Sequence, residues 1–197
     1  ARHGGTAGQG LIMAGERRFI AAHLAPVAAA PAARGLADDA ALWTPPLGRD
    51  LVFTHDVLAE GVHYLATDPP RDVAWKLVAV NLSDIAAMGA VPAGMLLGLG
   101  LARDCPEDWR RDFAAGLGHV AALWQVGLWG GDTVSGLDRN VLGLTAIGQI
   151  IPGMALSRAG ARPGDSLWVS GSIGDAGLGL AIAKGEAPAD KALLNRF

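Results

Sequence analysis

Apolar residues recur along the chain at two spacings, and the switches between them mark out the elements. From 69 to 89, "PPRDVAWKLVAVNLSDIAAMG", a proline pair and Asp72 precede apolar residues at Leu77, Val80, Ile85 and Met88, and the run stops at Gly89; this predicts a helix. A short amphipathic helix is predicted from Glu16 to His23, with Phe19 and Ile20 on its apolar side and the prolines at 26 and 31 ending it. Trp109, Phe113, Leu117, Val120 and Trp124 form the core face of another helix, with Asp104 as its cap, Pro106, Glu107 and Asp108 in its first turn and Gly127 beyond it. Continuous apolar or β-branched runs predict strands at Ala40–Trp43, Leu51–Thr54, "AGMLLGLGLA" (93–102), "GLWGGDT" (127–133), which runs into a glycine turn, and "NVLGLTAIGQII" (140–151).

After Pro152 the pattern becomes turn-rich: a strand is predicted at Ser166–Ser170, then the glycine loop "GSIGDAG" and the start of a helix, with an amphipathic "KALLNRF" at the end. These elements predict an α/β (α+β) fold, with one sheet covered by two helices over residues 13–151 and the beginning of a second domain over 152–197. Residues 1–12, glycine-rich and aperiodic, read as a tag or frayed extension ahead of Met13.

Composition narrows the function. A hydrophobic fraction of 51% against 18% charged residues predicts a globular chain with a genuine core. The net charge of -3, with basic residues clustered no further than the pairs Arg17-Arg18 and Arg110-Arg111, argues against nucleic acid as a partner. Apolar runs fall short of the roughly 20 residues of a membrane span. The single cysteine, Cys105, excludes an internal disulfide and a cysteine metal cluster, which places the expectation in a reducing, cytoplasmic compartment.

Five of the 19 carboxylates, Asp38, Asp39, Asp56, Asp84 and Asp132, follow apolar or glycine-rich stretches instead of sitting in charged turns. Asp84 shares a helical face with Leu77, Asn81 and Met88, and Lys76 is two turns away, too far to pair with it. A carboxylate buried on such a face must change protonation, pair with a cation or bind a metal; hydrogen bonds from a neighbouring loop are an equal alternative for Asp84 taken alone. The companions tip the balance. Asp56 is expected just past a strand end, Asp132 on a glycine turn and Asp38 and Asp39 in a loop, so several carboxylates meet without a Cys/His cluster. That donor set suits Mg²⁺, which takes a few carboxylates together with substrate phosphates. The sequence contains no G-x-x-x-x-G-K-[ST] segment and no nucleophile elbow. "GSIGDAG" reads first as close helix packing and second as a phosphate cradle. His3, His23 and His119 are expected at the surface or satisfied within helices, whereas His63, in "EGVHYL", is placed to meet a ligand.

The segments "ADDAAL", "THDVLAEGVHYL", "WKLVAVNLSDIAAMGAVP", "GGDTVSG" and "ALSRAGARPGDSLWVSGSIGDAGLGL", in this order and spacing, resemble the thiamine-monophosphate kinases. The similarity runs from about Met13 to the end, within a superfamily of ATP-using enzymes that includes aminoimidazole ribonucleotide synthetase, selenophosphate synthetase and a hydrogenase maturation enzyme. The resemblance implies a homodimer formed through N-terminal sheets, ATP as co-substrate and several Mg²⁺ ions held by Asp39, Asp56, Asp84 and Asp132 with Thr54 at their edge. It places Gly131, Asp132 and Arg158 on the nucleotide and His63 on thiamine monophosphate. The implied reaction is direct transfer of the γ-phosphoryl group to thiamine monophosphate, with no protein nucleophile. The chain departs from the pattern at Ala37, His55 and Ser135, where the family usually has glycine, a small hydroxyl residue and arginine. The alternatives are a sibling ATP-dependent synthetase and a short, non-catalytic dimerisation module; the "EGVH" segment favours the kinase over the first, and the retained aspartates favour it over the second.

Overall fold

A computed structural model describes Gly15 and residues 17–197; the expected extension at 1–12, Met13 and Glu16 lie outside the described residues. The chain divides into two compact units, the first running to Ser157 and the second covering Arg158–Phe197.

The first unit is a four-stranded mixed sheet with two helices. In chain order its elements are β1 (Asp50–Ala59), α1 (Pro70–Ala87), β2 (Val91–Ala102), α2 (Glu107–Leu123), β3 (Gly127–Leu137) and β4 (Val141–Ile150). The strand order is β1-β4-β2-β3, with β2 and β3 parallel and the other neighbours antiparallel. Before β1 come a π-helical turn, Ile20–Leu24, and a 3₁₀ turn, Pro31–Leu36. No helix among the described residues is long and apolar enough to cross a membrane.

α1 is delimited by local chemistry. Pro70 opens it with its φ preset and no orphaned N–H, and Asp72 favours the positive end of the helix dipole. At the other end the Gly89 N–H bonds to the Ala86 carbonyl and the Ala90 N–H to the Ile85 carbonyl, a closure that needs Gly89 at φ +74. Leu77, Val78 and Ile85 of α1, with Phe113, Leu117 and Val120 of α2, are fully buried against Met95, Leu142, Leu144 and Ala146 of the sheet. The opposite face of the sheet is covered at one end, where Ala32 and Trp43 pack on Trp129 and Ile147, and open over the rest. Phe53, Val57, Leu96, Val134 and Val141 lie on it exposed, Phe53 by 62%.

Several expectations are corrected. Residues 40–43 are not a strand: they cross the end of the sheet, where Trp43 packs on Trp129. β1 runs through Asp56 to Ala59, and β3 through Asp132 to Leu137, so neither aspartate lies beyond a strand. α2 begins after Pro106 and receives no side-chain cap, leaving Asp104 two residues short of its N-terminus, and Trp124 is its partly exposed C-cap instead of a core residue. Met88, past the last turn of α1, is exposed as well.

In the second unit, α3 (Asp175–Ala183) starts at Gly174, as the glycine loop predicts, and α4 (Lys191–Leu194) is capped by Asp190, whose carboxylate accepts from the N–H groups of Ala192 and Leu193. The strand expected at 166–170 is absent. Leu167 and Trp168 are over 90% exposed, and an extended segment without a neighbour has no partner for its backbone groups.

Candidate functional site

Thr54 and Asp56 of β1 face α1, while His55 between them lies on the other face against Thr145. Thr54 Oγ1 donates to Asp84 Oδ2 at 2.9 Å, and the Asp56 N–H donates to Asn81 Oδ1 at 3.1 Å. Asn81, completely buried, also donates to the Leu77 carbonyl at 2.9 Å, so its amide is fixed between helix and strand. This anchor carries no role in the sequence reading, although an asparagine three residues before Asp84 on an apolar helix was its visible signal. The expectation of a buried Asp84 is corrected: Ser83, Asp84 and Met88 are exposed where the last turn of α1 leaves the sheet, with only Ile85 still buried. An ionised carboxylate is stable there without a compensating charge.

A second group lines a cavity of about 500 Å³. Asp38 and Asp39 enter it from the segment after the 3₁₀ turn, Gly130, Gly131, Asp132 and Thr133 from β3, over an apolar floor that includes Leu97 and Leu128. The chain reaches Asp38 through three consecutive left-handed residues, Arg34, Gly35 and Leu36, two of them not glycine, and Arg34 forms an ion pair with Asp38. Such strain persists where its surroundings over-determine it. Trp43 and Trp129, with ring centroids 5.0 Å apart, hold the following stretch, and Trp129 sits at the bulge that shifts the β2–β3 register.

The two groups are separate. Cross-strand pairing aligns Asp56, Leu144, Leu97 and Gly131 in one row and Val57, Gly143, Gly98 and Asp132 in the next. Adjacent rows point to opposite faces, so Asp56 faces the helices and Asp132 the open side. β1 and β3 are also opposite edges of the sheet, three strand spacings or about 14 Å apart. Among the described residues no three of His, Cys, Asp and Glu gather closely enough to hold a metal. The donors present are nevertheless all oxygen: the Thr54 hydroxyl and the Asp56 and Asp84 carboxylates on one side, Asp39 and Asp132 on the other. Hard donors of this kind, exposed or half-buried, fit a divalent cation that keeps several of its waters.

Gly131 is required by contact. A Cβ there would lie 1.9 Å from the Leu97 carbonyl oxygen, whereas at Gly130 it would meet nothing nearer than Leu96 Cδ2 at 3.6 Å. Gly131→Ala should therefore disrupt β2–β3 pairing beside Asp132 and lower stability by about 2 kcal/mol or more, while Gly130→Ala stays within about 1 kcal/mol. Urea unfolding of both variants checks this; equal midpoints would contradict it.

His63 lies exposed in the turn after β1. Its Nδ1 accepts from the Ala59 N–H at 3.0 Å, and its carbonyl accepts from Lys76 Nζ of α1. Asn140 staples the neighbourhood: its side chain accepts from the Ala102 N–H at 2.8 Å and donates to Glu60 Oε2 at 3.1 Å, and its carbonyl accepts from the Glu60 N–H at 3.0 Å. Beside it, burial pushes the Cys105 thiol up, and burial followed by the charge of Glu60 pushes the Tyr64 phenol up. Both are acids whose folded pKa exceeds the unfolded value, so their stabilisation is complete below the unfolded value and declines as pH rises beyond it, from about 8.5 for the thiol. Urea midpoints should fall between pH 7.5 and 10, and Cys105→Ser should flatten the first part of the fall. Arg158, exposed, opens the second unit.

Residues 37–150 match the family described as AIR synthase related protein, N-terminal domain, and the chain belongs to that family. Its relatives specify the comparison further. The thiamine-monophosphate kinase of Caulobacter vibrioides is 44% identical over 168 residues, covering 85% of this chain and 48% of the relative. The crystal structure of thiamine-monophosphate kinase from Stenotrophomonas maltophilia K279a superposes with a TM-score of 0.71 at 43% identity, over 78% of this chain and 48% of that one. A structure of AaThiL complexed with AMPPCP and TMP gives 0.70 at 27% identity, over 99% of this chain and 60% of that one. The chain thus spans about half the length of the curated relatives it matches.

Proposed function

We propose that the chain is the N-terminal part of a thiamine-monophosphate kinase, acting in the cytoplasm to transfer the γ-phosphoryl group of ATP to thiamine monophosphate. The observation that carries the reading is the chemistry of the two groups: two carboxylates with a hydroxyl, half-buried Asp56 and Thr54 and exposed Asp84, and a cavity of nucleotide-binding size walled by Asp39, Gly131 and Asp132. Neither group contains an acid–base pair or an activated nucleophile. Relatives named for this activity, and a neighbour solved with AMPPCP and TMP, support it.

The acceptor is a phosphate monoester, already largely ionised at neutral pH, so a phosphate oxygen of thiamine monophosphate attacks the γ-phosphorus directly. A new P–O bond forms, the bond to the β,γ-bridging oxygen breaks, and ADP leaves. The chain's task is to align two polyanions and hold them still. Bound Mg²⁺ would supply the neutralising charge. Thr54, Asp56 and Asp84 would hold one part of the metal set, and Asp39 and Asp132 another. Gly131 and Asp132 line the cavity that would take the nucleotide, and His63 contacts the acceptor phosphate. The assignment of Arg158 to the nucleotide's phosphates rests on the sequence resemblance alone.

The protein acts as a homodimer through the open sheet face. The exposed apolar row of Phe53, Val57, Leu96, Val134 and Val141 supports a second copy there, and so does the separation of the donors, which one chain leaves at opposite edges. The domain division is that of a nucleotide- and metal-binding part over 13–151 followed by the start of a second domain over 152–197.

Product analysis by mass spectrometry tests the function, using the protein extended to its natural stop codon with ATP, Mg²⁺ and thiamine monophosphate. Thiamine diphosphate and ADP in equal amounts are the expected products. ATP binding without that product would replace the reading by a sibling ATP-dependent synthetase, and no binding by a dimerisation module.

A further inference from the structure

The turn that carries His63 is tied to two elements. On the β1 side, the His63 N–H bonds to the Ala59 carbonyl at 2.9 Å, the Val62 N–H to the same carbonyl at 3.1 Å, and the Gly61 N–H to the Tyr64 carbonyl at 2.8 Å. The Ala59 N–H closes back onto His63 Nδ1 at 3.0 Å. That bond settles the ring's tautomer. A backbone N–H can only donate, so Nδ1 is unprotonated and the proton of the neutral ring sits on Nε2, making it a hydrogen-bond donor. From α1, Lys76 Nζ reaches the His63 carbonyl. Lys76 and Asp84 stand eight residues apart on α1, about 12 Å along one rigid axis.

We propose that Lys76 is a positioning residue for the acceptor phosphate: by holding the His63 carbonyl it locks the turn to α1, so that Nε2–H is presented as a fixed donor at a set distance from Asp84. The inference rests on the reading of His63 as a contact of the acceptor phosphate. In-line transfer needs such registration, because a misplacement on the order of 1 Å between reactants costs up to about 100-fold in rate. The turn's own backbone bonds survive the loss of Lys76; its registration to the helix does not.

Steady-state kinetics of the full-length protein, with NMR of the His63 ring, test the proposal. Lys76→Met should lower kcat/KM for thiamine monophosphate about tenfold, within the up to about 100-fold that a misplacement of about 1 Å costs. KM for ATP and the melting temperature should stay unchanged, and Lys76→Arg should recover most of the loss. In a His63→Ala background, Lys76→Met should add nothing, since it acts through that ring. The wild-type ring should show the Nε2–H tautomer, and Lys76→Met should broaden the Nε2–H signal while Nδ1 stays an acceptor. Multiplicative effects of the two substitutions, a parallel rise in KM for ATP, or unchanged His63 resonances in Lys76→Met would each overturn the proposal. The acceptor-site reading fails separately, if His63→Ala leaves kcat/KM for thiamine monophosphate untouched; the resonances then still decide whether Lys76 positions the ring.

Discussion

Asp84→Asn should strongly weaken Mg²⁺-dependent ATP binding while leaving the fold intact. The side chain is exposed, and its hydrogen bond is an acceptance from Thr54 Oγ1 at 2.9 Å, which an asparagine oxygen reproduces. Stability should change by less than about 0.5 kcal/mol, as for other surface substitutions. What the substitution removes is the charge. With Mg²⁺ present, nucleotide affinity should fall about 100-fold, equivalent to about 2.7 kcal/mol, because a Mg²⁺ held by Asp84 would lose an anionic ligand. Without Mg²⁺ the sign reverses: a carboxylate facing a polyphosphate is repulsive, so Asp84→Asn should bind free ATP as well as or better than the wild type. Thr54→Val, which deletes a neutral donor from the same group, should show a smaller loss of the same kind. Calorimetric titration with ATP, with and without Mg²⁺, separates these outcomes. An unchanged affinity in Mg²⁺ would remove Asp84 from the metal site, and an equal loss in both conditions would assign it a direct contact instead.

Asp84 also shows which layer of the design the sequence carried openly. α1 was legible because its signals are local: a proline start, helical spacing and Gly89 at the one position that needs a left-handed residue. The mixed sheet and its covering helices follow from the order of such elements. β1 was under-read because "THD" looks like the polar end of a strand; the strand continues since Asn81 and Thr54–Asp84 satisfy its polar positions from another element, a tertiary fact. The segment at 40–43 failed for the opposite reason, its apolar residues serving the Trp43–Trp129 contact and not a ladder. The candidate residues could likewise be picked out by type, since carboxylates without acid–base companions point to metal-assisted phosphoryl chemistry. Their partition could not. Which face and which edge each aspartate occupies depends on strand order and register, and these are set by non-local pairing.

That partition yields the second large effect. Asp132→Asn should be as inactive as Asp84→Asn when each is made alone, yet coexpressing the two chains should restore activity. β1 and β3 lie at opposite edges, about 14 Å apart across the sheet, and Asp132 points to the open apolar face while Asp56 points to the helices. One chain leaves the two groups on opposite faces and at opposite edges of its sheet, so a site that uses both on one nucleotide would draw Asp132 from one chain and Asp84 from its partner. Each dimer then has two composite sites. In a mixed dimer one site inherits both substitutions and the other inherits neither. Random pairing makes half the dimers mixed, and one of two sites in each is intact, so the mixture should regain about a quarter of wild-type turnover. Sites contained within single chains predict no recovery at any mixing ratio, because every site would keep one damaged aspartate. Recovery would establish the dimer and the division of the site in one experiment, and its absence in a verified mixed dimer would return both donor groups to the same chain.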